Sequence, residues 1–143
     1  MRHLFWRPND RDGHVSALIE IAFGLAHEIS ELCLDLECRP EMALHRFYGS
    51  QVADAGVCAL AHIACASESW PPTIGAYNAT AESVSGAQAN LRALDRLLSL
   101  LRVHRRVPAE VTGALSCKVE EAAAVLTALE VELCGGRRMR FAG

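Results

Sequence analysis

Lysine is nearly absent from this chain: Lys118 stands alone, and every other formal cation is arginine. With abundant alanine, that bias fits a GC-rich bacterial genome and implies no chemistry. Aromatic residues make up only 6% of the sequence, so a core must come from leucine and alanine, which lose little on entering a helix. No segment alternates apolar and polar residues with a period of two, which argues against strands.

Other absences narrow the function. No stretch approaches the roughly 18 uninterrupted apolar residues of a membrane span. The apolar run within Met1–Pro8 is too short for a signal peptide, so the expected location is cytoplasmic. There is no Gly-rich phosphate loop, no Gly-x-Ser-x-Gly elbow and no Cys-x-x-Cys pair. Glu-x-x-His is missing too, which disfavours a di-iron carboxylate bundle. A net charge of −3 argues against a dedicated nucleic-acid binder.

What is present reads as one helical domain. The 143 residues are 51% hydrophobic and 22% charged, a globular balance with enough chain to bury a core. Residues 1–71 carry five arginines against ten carboxylates, and 72–143 carry nine cations against seven. Such a split suits solvated faces, and it can also orient a partner. Five of the six cysteines fall in or at the ends of predicted helices, as reduced thiols rather than a disulfide framework.

The spacing predicts four helices. Asp12 offers an N-cap to the first, whose stripe runs Val15, Leu18, Ala22, Leu25, Ile29, Leu32, Leu36 and stops before Pro40. Pro40 opens a short helix to Tyr48, ended by Gly49, and Ser50 caps a second long helix to about Ser67. Its apolar face is taken as Ala53, Gly56, Val57, Leu60, Ile63 and Ala64, and Trp70-Pro71-Pro72 stops it. Thr73–Ala79 reads as a loop and Thr80 as the cap of a third helix with Val84, Ala87, Leu91, Leu94, Leu98 and Leu101. Pro108 opens the fourth, with Leu115, Val119, Ala122, Leu126, Leu129 and Leu133, ended by Gly135-Gly136. The prediction is an all-α, up-and-down four-helix bundle with a short extra helix between helices 1 and 2. Residues 1–11 form an N-terminal arm, 12–136 the bundle and 137–143 a short basic tail.

Two places draw attention. On the second helix, Cys58, His62 and Cys65 share one stripe opposite the expected core face, a donor set for zinc or copper if another helix or chain completes it. Ala55, Ala59, Ala61 and Ala66 around them make that back face apolar as well. On the first helix, Phe23 and Leu34 point outward, with His27 and Glu31 one turn apart between them. A His–Glu pair can act as a base with its orienting carboxylate, but it is more often a surface ion pair. Excess apolar surface on two helices, without a catalytic constellation, predicts a non-enzymatic interaction or regulatory protein. It would act as a homodimer or through a protein partner, with Phe23, His27, Leu34, Ala55, Cys58, Ala59, His62, Cys65 and Ala66 at the interface. The alternative is a metal- or thiol-based sensor using Cys58, His62 and Cys65. A ligand pocket near Trp6 or Trp70 is the third reading.

Overall fold

Each stretch with three–four spacing becomes a long helix. The computed structural model describes the backbone of residues 10–70, 76–104 and 106–142, and the side chains of 13–70, 78–104 and 106–135. Helix α1 spans Asp10–Glu37, α2 Arg46–Ser69, α3 Ala76–Val103 and α4 Ala109–Ala142. A 3-10 turn, Pro40–Met42, is the short extra element between α1 and α2. No strand occurs among the described residues, and no described helix is long and apolar enough to cross a membrane.

Connections this short force successive helices to run antiparallel. α2 packs against α1 and α3, and α4 closes the ring against α3 and α1. Polar ties mark the register between neighbours. Trp70 Nε1 donates to Ser16 Oγ at 3.0 Å, Arg102 Nη2 to Ser116 Oγ at 2.8 Å, and Lys118 Nζ reaches Glu28 Oε2 at 2.9 Å. The Glu28 hydrogen bond and charge hold the Lys118 ammonium above its ordinary pKa. These exposed ties add little stability.

The core is aliphatic. Val15, Ala22, Ile29 and Leu36 of α1 meet Leu91, Leu94, Leu98 and Leu101 of α3 and Leu115, Leu126, Leu129 and Leu133 of α4, all at most 2% exposed. The α3 and α4 stripes are buried at every position the spacing selects, while Leu25 and Leu32 of α1 are half-buried at its margin. Cys33 lies wholly within this core, and burial pushes its thiol up to about 12.

Helix α2 is turned from the expected orientation. Its buried residues are Gly49, Val52, Ala53, Ala55, Gly56, Ala59, Ile63 and Ala66, whereas Val57 is 44% exposed. Relative to the face centred on Val57 and Leu60, the core direction shifts by roughly 100°, about one residue step. Small side chains all round α2 leave its own pattern nearly silent, so close packing with its neighbours decides. A Cβ on Gly56 would stand 2.8 Å from Cys33 Sγ and 3.1 Å from Cys33 Cβ. Across the other flank, a Cβ on Gly86 of α3 would meet the His62 ring at 2.6 Å. Gly56 thus lets α1 approach α2, and Gly86 makes room for an imidazole between α2 and α3.

Several predicted ends also move. α1 already starts at Asp10, so Asp12 sits inside its first turn rather than at the cap. Only a 3-10 turn follows Pro40, and α2 begins at Arg46 with His45 in the cap position, not Ser50. Gly49 therefore lies inside α2, where its lack of a side chain leaves space beside Glu37 and Met42. α3 starts at Ala76, ahead of Thr80, whose buried hydroxyl instead hydrogen-bonds Ser69 Oγ at the end of α2. α4 continues through Gly135-Gly136 to Ala142. Two glycines cost a helix about 2 kcal/mol in propensity relative to alanine, and they do not stop this one. The arm with Trp6 lies outside the described residues.

Candidate interaction surfaces

The residues singled out on α1 and α2 separate into three groups. Phe23 (40% exposed) and Leu34 (43%) stand on the outer side of α1, with His27 exposed between them. His27 Nδ1 lies 3.7 Å from Glu31 Oε1, with both side chains more than half exposed. That is an ordinary surface pair, and no third group among the described residues orients it.

On α2, Cys58 and Cys65 face solvent. His62 does not join them. It is half-buried against Gly86 at the α3 flank, because four residues of helix add roughly 40° of rotation to the stripe. Among the described residues no group of three or more His, Cys, Asp or Glu side chains is gathered closely enough to hold a metal ion. The stripe Cys58, His62, Cys65 is therefore not a preformed zinc or copper centre within one chain.

Ala55, Ala59 and Ala66 form the third group. They are at most 7% exposed within the single chain, so they pack against this chain's own helices and are not free to meet another. The rotation of α2 that buries them brings Val57 to the surface instead. Gly56 beside Cys33 and Ser30, and Trp70 beside Ser16, fix how α1 and α2 lie side by side. In that register Val57 falls between the levels of Phe23 and Leu34. The three define an apolar line along the outer α1–α2 seam, roughly 16 Å from end to end for eleven residues of helix. Glu31 and Asp54 are exposed to either side of it.

A second apolar group was not foreseen from the sequence. Leu44 (90% exposed), Phe47 (70%), Tyr48, Leu100 and Val103 (74%) all lie at the end of the bundle that carries the α1–α2 and α3–α4 connections. The Phe47 and Tyr48 rings meet edge to face with centroids 5.8 Å apart. Tyr48 also borders a hollow of about 170 Å³ with Leu100, Leu101, His104 and Arg106. The signal was present in Leu44, Phe47 and Tyr48. Assigning them to a separate short helix hid that Phe47 and Tyr48 open α2 and that Leu44 lies in the turn before it.

Between α3 and α4 runs an open groove of about 370 Å³, floored by Leu91, Val119 and Ala123 and edged by Arg92, Arg96, Asp95 and Glu120. Its two cations and two carboxylates balance. Trp70 rests against the core and bonds Ser16, at the opposite end from the Tyr48 hollow.

No known protein family, no curated protein and no solved structure matches this chain.

Proposed function

We propose that this chain is a non-enzymatic interaction protein that pairs with a second copy of itself, or with a protein partner, through the outer α1–α2 seam. The observation that carries the reading is the alignment of Phe23, Val57 and Leu34, each about two-fifths exposed, along that seam. A contact there would have an apolar centre with Glu31 and Asp54 at its polar margin, the usual plan of a protein interface. Finishing the burial of each side chain contributes about 1 kcal/mol, so the line supplies an anchor and the flanking helix faces must supply area. A stable interface needs about 800 Å² per partner, which fits a helix pair about 35 Å long.

Five exposed free thiols, Cys38, Cys58, Cys65, Cys117 and Cys134, suit a reducing compartment, consistent with a cytoplasmic role. Light scattering coupled to size exclusion at micromolar concentration tests the reading. The wild-type chain is expected at twice its 15.5 kDa mass, and Phe23→Asp at the monomer mass. A wild-type monomer that also retrieves no partner in a pull-down would end it.

A further inference from the structure

We propose that the connection end of the bundle, centred on the Tyr48–Leu100 hollow, docks an acidic protein segment bearing one apolar anchor residue. This surface is separate from the α1–α2 seam and does not depend on self-association there. Phe47 and Tyr48 form an aromatic wall at the start of α2, and Leu100 faces it from α3. The hollow of about 170 Å³ has room for a single aliphatic or aromatic side chain.

Charge selects the occupant. His104 and Arg106 line the hollow itself, and Arg46 is exposed beside Phe47. Among the described residues, no carboxylate lines the hollow. Glu41, on the far side of Arg106, is held by Arg39 at 2.8 Å. Among the described residues, neither Arg46 nor Arg106 has a carboxylate within 4.0 Å. An unpaired guanidinium offers a fork that fits a carboxylate in bidentate fashion. An acidic residue beside the anchor would complete it.

A second copy is disfavoured at this end, since a two-fold contact centred on the hollow would bring two positively charged rims together. Nucleic acid is disfavoured as well. A chain of net charge −3 lacks the broad positive field that phosphate binding uses.

Panning a random-peptide display library on the purified full chain tests the proposal. Enriched peptides are then titrated by fluorescence anisotropy. The expected consensus has Asp or Glu next to Leu, Ile or Phe. Affinity should fall at least tenfold in Tyr48→Ala and in Arg106→Glu, and should weaken as salt rises. Both variants should keep the wild-type helical circular dichroism and oligomeric state, which separates this surface from the seam. No enrichment, a neutral or basic consensus, or equal binding to both variants overturns the proposal. So does tighter binding of single-stranded RNA than of the enriched peptides. Loss of self-association in either variant would instead assign the end to contact between copies.

Discussion

Replacing Gly56 by alanine probes the packing that orients α2. Two effects oppose each other. Alanine is favoured over glycine in a helix interior by about 1 kcal/mol. Against that, the new methyl would lie 2.8 Å from Cys33 Sγ and 3.1 Å from Cys33 Cβ, with Ser30 Cα at 3.5 Å. Cys33 is fully buried, so its sulfur has nowhere to withdraw, and overpacking of this kind costs about 1–3 kcal/mol. We expect a net loss of up to about 2 kcal/mol, seen as a lower urea midpoint by circular dichroism. Thermal unfolding should shift down by up to roughly 8 °C.

Controls come from the same molecule. Gly24 and Gly113 lie inside helices with nothing within 4 Å of an added Cβ, so alanine there should stabilise by about 0.5–1 kcal/mol. Gly86→Ala should lie between, because the half-buried His62 ring can swing aside. If Gly56→Ala proves as stable as Gly24→Ala, the close contact of α1 and α2 is wrong. The register that aligns Phe23, Val57 and Leu34 would fall with it.

Other expectations follow from burial. Under native conditions an aromatic disulfide reagent should titrate five thiols quickly, and Cys33 only on unfolding. Six fast thiols would place Cys33 outside the core. Because the Cys33 pKa rises from 9.0 to about 12 on folding, its stabilising effect is complete below pH 9 and is lost as pH climbs toward 12. At about pH 10 it should cost the native state about 1 kcal/mol. Relative to Cys33→Ala, the wild type should therefore lose more stability between about pH 8 and pH 10, and equal losses in urea melts would refute this. Removing the Ser69–Thr80 hydroxyl pair at one side only, with Thr80→Val, leaves Ser69 its bond to the Ala66 carbonyl at 3.0 Å. That change should cost about 1 kcal/mol by the same assay.

Most of the bundle was legible because leucine marks position so clearly. On α3 and α4, leucines at three–four spacing flanked by polar residues leave one orientation, and all twelve selected positions are buried. α2 defeated the same reasoning for a physical reason. Alanine, glycine and cysteine carry too little apolar area to rank one face above another, so α1 and α3 orient it through Gly56 and Gly86. That single rotation sent Ala55, Ala59 and Ala66 inward, Val57 outward and His62 sideways. The outer residues of α1 were read correctly as outer, since its own stripe fixes it. Helix ends were the least legible. Glycine marks an end only where the chain also turns, and Gly49, Gly135 and Gly136 instead lie within continuous helix.

Whether the α1–α2 seam joins two chains is the central question, and site-specific cross-linking answers it most directly. In a chain with its five exposed cysteines changed to serine, Val57→Cys is compared with Val131→Cys, which is 64% exposed on α4. Treated with a short bis-maleimide, the Val57→Cys protein should run as a covalent dimer while the Val131→Cys protein stays monomeric. Equal dimer in both, or none at Val57→Cys, would contradict self-association through this seam.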